Sequence, residues 1–421
     1  MTEQKVLILG ETDKPRFFYG WLIISSTFLI TMVAFGTFFT FGVFLESVLL
    51  EFNWTRTMTS GAFSICMLLQ GFLSIGMGRL TDKFGPRMVI TASGVFLGWG
   101  YLLMSQISAI WQLYLFYGVM IAIGMSPAFV TPSSTIARWF AKKRGMMTGI
   151  VLSGSGIGTM IMPPVASRLV SNYGWRTSYT IVGIIAFVLI VVASQFLKRD
   201  PSQVRQMPYG ADERNELNLC LETDGFSLQE AIHTKQFWIL CAMFFCSLFC
   251  VYVIMVHIVI HAIGLGISTI SAANIVAVMG ALNIVGRIMM GSVGDRIGNK
   301  LALMIIFIAM SVALFWVAVV MELWMIYVSI AIFGIAQAGV SALLSPMAAE
   351  LFRLRSHGAI LGTITFCGTI GGAIGPVMAG RIFDITNSYQ LAFLVCAGFG
   401  VIGFVMVFLL RPLHSRLSLY G

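Results

Sequence analysis

Arg287 stands where a cation is expensive. It lies past the middle of a long apolar run, with the apolar stretch 276–284 before it and 288–290 after it. A charge in a hydrocarbon core costs at least about 3 kcal/mol even on lenient scales. A guanidinium can offset that cost by gripping a carboxylate through two parallel hydrogen bonds. Asn283 lies one helical turn earlier on the same face. There it can orient the guanidinium or bind a second oxygen. The plainer account is an arginine near a helix end that snorkels to the surface, since Gly291 is about one turn away.

His257 and His261 lie one turn apart in the outer half of another apolar run. Histidine changes charge near neutral pH. No Asp or Glu lies deep in any run, so His257 is the expected proton carrier. The plainer account is a histidine bonded to a neighbouring helix. Two histidines alone at this spacing, with no carboxylate nearby, are not expected to hold a metal. Six of the seven cysteines (Cys66, Cys241, Cys246, Cys250, Cys367 and Cys396) sit inside apolar runs, with no CxxC pair or Cys/His cluster. Neither a metal site nor a disulfide framework is expected. No GxxxxGK[ST] loop is present, and the glycines at 154–158 follow no strand. An ATPase, a dinucleotide site and enzymatic chemistry in general are not expected.

The elements that hold these residues follow from composition. Hydrophobic residues make up 58% of the chain and charged residues only 10%. A soluble protein carries about a quarter charged residues. With so few charges, much of the surface must face lipid. About 20 apolar residues cross a bilayer core as a helix. Runs of that length fall at 18–45, 58–78, 88–107, 111–137, 145–167, 177–197, 237–263, 270–292, 301–320, 324–349, 358–380 and 389–410. They are numbered here as spans one to twelve. Charges other than Arg287 fall at span ends, as with Glu46, Arg138, Arg168, Glu350 and Arg381.

The expected fold is an all-α membrane protein of twelve helices in two pseudo-symmetric bundles. Its parts are a tail at 1–17, a bundle at 18–197, a linker at 198–235, a bundle at 236–410 and a tail at 411–421. The linker holds Lys198, Arg199, Asp200, Asp212, Glu213 and Glu222, with a short amphipathic helix expected at 227–232. The acid-containing N-terminal stretch does not read as a cleaved signal peptide.

The net charge of +9 sits in short segments between runs. It therefore reads as a topology signal and not as a nucleic-acid surface. Lys5, Lys14 and Arg16 mark the N-terminal tail. Even-numbered span ends carry Arg79, Lys83 and Arg87, then Arg138, Lys142, Lys143 and Arg144, then Arg296 and Lys300, then Arg353 and Arg355, then Arg411 and Arg416. Odd-numbered ends are poorer: Glu46 and Glu51 with Arg56, and uncharged stretches at 105–109 and 264–269. Both termini are expected in the cytoplasm, in a multi-pass protein of the cell membrane.

The halves repeat. Gly78, Asp82, Lys83, Gly85 and Arg87 match Gly291, Asp295, Arg296, Gly298 and Lys300 at an offset of 213 residues. Gly145, Gly149, Gly158, Pro163 and Arg168 match Gly358, Gly362, Gly371, Pro376 and Arg381 at the same offset. Two separated sets without a gap indicate duplication. Glycines let helices approach closely in lipid. Asp82 and Asp295, at turns, can accept from helix N-termini or pair with an arginine such as Arg138, latching the halves together. The repeat breaks at the chemistry: Asn283, Arg287 and His257 match Gln70, Ser74 and Phe44.

Over essentially its whole length the chain resembles the major facilitator superfamily, whose Gly-x-x-x-Asp-Arg/Lys-x-Gly-x-Arg/Lys signature it carries twice. Within it, the chain is similar to the monocarboxylate transporter and oxalate/formate antiporter-like group. Three features carry this: Tyr19, Gly20 and Trp21; Arg138, Trp139 and Phe140 with Lys143, Arg144, Gly145 and the glycines of span five; and Asn283, Gly286 and Arg287. The resemblance implies alternating access around a central site, with Arg287 as the carboxylate-binding arginine.

Many relatives have an acid where Asn283 stands. Oxalate carriers have a lysine in span eleven, which this chain lacks. Animal-type carriers have one in span one, where this chain has Phe38, Phe39 and Thr40. The expectation is a secondary carrier of a small monocarboxylate anion such as lactate or pyruvate, coupled to a proton, with no other cofactor. The alternative is an oxalate/formate-type exchanger or an exporter of another organic acid. Phe38, Thr40, Phe129, Gln337 and Phe366 are candidate cavity walls; the plainer account of each is helix packing. No nucleic acid and no obligate protein partner are expected.

Overall fold

The computed structural model describes residues 17–54, 56–210, 225–319 and 322–411. Lys5, Lys14, Arg16, Asp212, Glu213, Glu222 and Arg416, with most of both tails, lie outside the described residues.

Among the described residues, eleven helices are long and apolar enough to cross a membrane. One of them, Arg144–Gln195, runs for 52 residues. At 1.5 Å per residue that is about 78 Å, against a bilayer core of about 30 Å. The run is non-helical at Gly174 (φ 76°, ψ 163°). Spans five and six therefore meet there, and twelve spans result. A Cβ added at Gly174 meets nothing within 4 Å, so the demand is on the backbone alone. Gly174→Ala should lower thermal stability by about 1–3 kcal/mol, seen as a reduced melting temperature in detergent. An unchanged melting temperature would contradict this account. Asn387, at φ 54°, is its repeat mate and turns the chain between spans eleven and twelve.

Several helices are longer than their apolar runs. Span two is Arg56–Phe84, span seven Lys235–Gly264, span eight Thr269–Ile297 and span eleven His357–Thr386. Asp82 and Asp295 thus sit in the last turns of helices, not in the turns expected for them. The chain reverses only at Gly85 (φ 84°) and Gly298 (φ 91°), where a left-handed backbone suits glycine.

Two spans are broken. Span one runs Gly20–Phe38 and resumes at Phe41–Phe52. Span four contains a π-helical stretch, Tyr114–Ile121, and turns at 126–129 before Val130–Trp139. Pro127 has no N–H to offer there, which breaks the ladder. The short linker helix is Leu228–Ile232, capped by Ser227, which accepts from the Glu230 backbone.

Each half has its own apolar core. One joins residues from Ile23 to Leu197; the other joins residues from Leu228 to Leu410 and takes in Val130. Many large apolar side chains stay exposed, among them Trp99, Val192, Phe315 and Val377. In lipid they have their solvent.

Candidate functional site

The halves meet along two seams, and the seams are repeat images. In one, span five lies on span eight; in the other, span eleven lies on span two. A Cβ on Gly145 would stand 2.5 Å from the Gly291 carbonyl oxygen, and one on Gly358 2.6 Å from that of Gly78. No side chain fits at either place. Gly149 faces the Arg287 backbone as Gly362 faces that of Ser74.

Each seam ends in a carboxylate on a helix N-terminus. Asp295 accepts from the Gly145 and Met146 amides, both at 2.8 Å. Asp82 accepts from Gly358 at 3.1 Å and Ala359 at 3.0 Å. The free N–H groups and dipole of each helix start favour the negative charge. Here the symmetry stops. Asp82 also pairs with Arg138 at 3.3 Å, and Arg138 reaches Asp200 at 3.4 Å. Arg138 Nη2 donates to the Leu354 carbonyl at 2.6 Å, across the halves. Ser345 Oγ donates to the Ser133 carbonyl, also across the halves, and lies 3.0 Å from His357 Nε2. The chain is closed on this side, where Asp82 and Asp295 lie.

Arg287 lies on the span five–span eight seam. Its Nη1 donates to the Leu152 carbonyl and the Ser155 hydroxyl, both on span five. Its Nε is buried without a hydrogen-bond partner. Among the described residues no carboxylate comes within ion-pair distance of it. The guanidinium therefore carries an unneutralised charge and a buried donor with nothing to donate to, an arrangement that favours a carboxylate. At the repeat-related place Ser74 donates to the Gly362 carbonyl at 2.8 Å. The seam is the same; only the charge is new.

Asn283 does not orient the guanidinium. Its Nδ2 donates to Gln337 Oε1 of span ten at 2.7 Å. The structure thus brings two candidates together, though not the pair expected. Phe129 stands at the break in span four and stacks on Phe244 of span seven, with centroids 6.3 Å apart. Phe366 meets Phe72 edge-on at 5.8 Å. Both aromatic pairs cross between the halves. Phe38 instead packs inside the N-terminal core on Phe63 and Tyr117 and is fully buried. Thr40 is buried too and donates to the Thr37 carbonyl. Neither forms a cavity wall in this conformation.

His257 is bound on both ring nitrogens. Nε2 lies 3.0 Å from the Pro376 carbonyl and Nδ1 3.2 Å from the Tyr389 hydroxyl. A carbonyl only accepts, so Nε2 carries the hydrogen and Tyr389 donates to Nδ1. Counted along spans seven and eight from the turn between Gly264 and Thr269, Arg287 lies roughly 16 Å deeper than His257 at 1.5 Å per residue. His261, next to it, packs edge-on against Tyr389 and Phe393.

Sequence reasoning missed Leu152 and Ser155 as the arginine's anchors. Ser155 stands in the glycine run of span five, and the close approach that run implies was the available signal. It also missed Leu354, whose carbonyl no residue type announces.

The profile of the Major Facilitator Superfamily matches residues 27–320 and 264–419. Monocarboxylate transporter 13 of Rattus norvegicus is 26% identical over 98% of this chain and 94% of its own. Monocarboxylate transporter 12 of the same organism is 26% identical over 96% and 86%. Among solved structures, the proton:xylose symporter XylE has the same fold, with a TM-score of 0.73 at 13% identity, covering 93% of this chain and 95% of that one. The chain is a multi-pass membrane transporter for a small molecule, not an enzyme, and it belongs to the Major Facilitator Superfamily.

Proposed function

We propose that this protein carries a small monocarboxylate, of the size of lactate or pyruvate, together with a proton across the cell membrane. Both termini face the cytoplasm in this reading, in line with the excess of Lys and Arg on that side. The observation that carries it is Arg287: one buried guanidinium, anchored through Nη1, with Nε unpartnered and, among the described residues, no carboxylate within ion-pair distance. One cation matches one carboxylate. The names of the relatives agree with this substrate class.

The cycle follows from the seams. A carboxylate enters from the side opposite Asp82 and Asp295 and accepts from the arginine. Neutralised, the guanidinium no longer needs Leu152 and Ser155, and span eight can leave span five. The seams then part, the cytoplasmic side opens, and the acid leaves. Gln337 holds Asn283 beside the arginine, and Phe129 and Phe366 line the path between the halves.

The proton travels with the substrate through the outer half, where His257 receives it. A proton at Nδ1 requires the Tyr389 hydroxyl to turn from donor to acceptor, which couples charge to the span seven–span eleven contact. The sign is set: if a proton enters with the acid, uptake rises as external pH falls. His257→Ala should abolish that rise while keeping uptake at fixed pH measurable. Proteoliposome uptake of labelled lactate at two external pH values decides it. Persistent acid stimulation in His257→Ala would remove His257 from the path, and oxalate uptake exceeding lactate uptake would overturn the substrate class.

A further inference from the structure

The repeat also breaks at the membrane surface on the side of Asp82. Between spans three and six runs an open groove of about 510 Å³, lined by Phe84, Arg87, Met88, Thr91, Ala92 and Gln195. At its head Gln195 Oε1 accepts from both Arg87 Nε, at 3.0 Å, and Arg87 Nη2, at 2.6 Å. Gln195 is itself held by Thr91, Ser194 and the Val191 carbonyl. The guanidinium is fixed, yet among the described residues no carboxylate pairs with it. Lys83 lies against the groove's Phe84, its ammonium 5.1 Å from that ring centroid. Arg87 in the groove and Lys83 over its Phe84 are two cations with no carboxylate partner among the described residues.

Below the mouth the groove becomes apolar. Met88 (64% exposed), Ala92, Phe96 and Trp99 (56% exposed) continue along span three. Ile184, Val188, Val192 and Phe196 continue along span six, one turn apart, all exposed. From Met88 to Trp99 is about 16 Å of helix, close to half the roughly 30 Å bilayer core. The bed is as deep as one leaflet.

At the repeat-related place in the second half the cation is engaged differently. Lys300 stands where Arg87 does, and Phe408 where Gln195 does. Lys300 donates to the Leu410 carbonyl at 2.6 Å and lies over the Phe408 ring. That cation is spent on the end of span twelve. The same scaffold position holds a cation capping a neighbouring helix in one half and a cation facing an open groove in the other.

We propose that this groove binds an anionic phospholipid of the leaflet on the Asp82 side. Its phosphate accepts from Arg87 and Lys83, and one acyl chain lies between spans three and six. Basic pockets between membrane helices on that side take acidic headgroups. Because the two spans belong to one bundle, the lipid stays bound as the halves rock.

The test is lipid retention by the full chain, purified from vesicles of phosphatidylglycerol and phosphatidylcholine and read by native mass spectrometry. The wild type should retain phosphatidylglycerol roughly thirtyfold over its share of the mixture, about a fivefold factor from each of two cations near the headgroup. Arg87→Gln should cut that enrichment about fivefold, and Ala92→Trp, which fills the apolar bed, should lower it with the charge intact. Lys300→Gln should leave it unchanged. Inorganic phosphate in the buffer should not displace the lipid. Undiminished enrichment in both Arg87→Gln and Ala92→Trp would overturn the proposal. So would full displacement by inorganic phosphate, which would make the site one for the free anion.

Discussion

Arg287→Gln should reduce lactate uptake by about a hundredfold or more, to background, with membrane expression intact. A desolvated charge pair loses roughly 2–5 kcal/mol when one partner is truncated, and each 1.4 kcal/mol is tenfold. Glutamine retains donors but no charge, so the carboxylate would enter the protein unneutralised. Arg287→Lys separates charge from geometry. A lysine keeps the charge as a point on a flexible stem and loses the planar fork. It should still fall at least tenfold, because Nη1 now anchors to Leu152 and Ser155 while Nε is left for substrate. One ammonium cannot hold both positions. Wild-type uptake by both variants would end the assignment of Arg287 as the carboxylate site. Loss in the glutamine variant alone would show that charge suffices.

The same residue shows what the sequence made legible. A lone cation in an apolar run is visible because its cost is visible, and the 213-residue offset is visible because close-packed backbone tolerates only glycine. Gly145 on Gly291 and Gly358 on Gly78 give that offset a physical cause. The partners were not legible. A carbonyl such as Leu152 or Leu354 has no residue type, so nothing in the sequence marks it as an acceptor. Asn283 has its expected place on the arginine's face, yet its amide found another amide, Gln337, from a helix 54 residues away. Phe38 shows the limit for aromatics. Apolar runs in lipid lack the polar face that orients a soluble helix, so sequence does not say whether a ring looks at the cavity, the core or the bilayer. Helix ends were blurred for a related reason: Asp82 reads as a turn residue because it is charged, whereas it closes a helix that projects beyond the apolar run.

The repeat gives scaffold twice and function once. The seams, the two positive-φ glycines and the two aspartates are duplicated. The guanidinium at 287, the Arg138 contacts and the open groove at Arg87 are not. A transporter that rocks about a pseudo-twofold axis needs matched hinges but only one site, so divergence is tolerated where the halves do not have to move alike.

The second large effect concerns closure. Gly145→Val should drive uptake to background while the protein remains folded in the membrane. Its Cβ would fall 2.5 Å from the Gly291 carbonyl oxygen, and backbone cannot yield as a flexible side chain can. Each bundle keeps its own core, so the clash is relieved by parting the halves and not by unfolding either. Gly358→Val, the repeat image, should act the same way. Gly398→Val is the control, because a Cβ there meets nothing within 4 Å. Spin labels on either side of the seam should report longer distances in the first two variants and unchanged ones in the third. The aspartates should follow the asymmetry: Asp82→Asn should weaken closure more than Asp295→Asn, since Asp82 also holds Arg138 and through it Leu354. Short cross-seam distances with wild-type uptake in Gly145→Val would show that the closed contact is not part of the cycle.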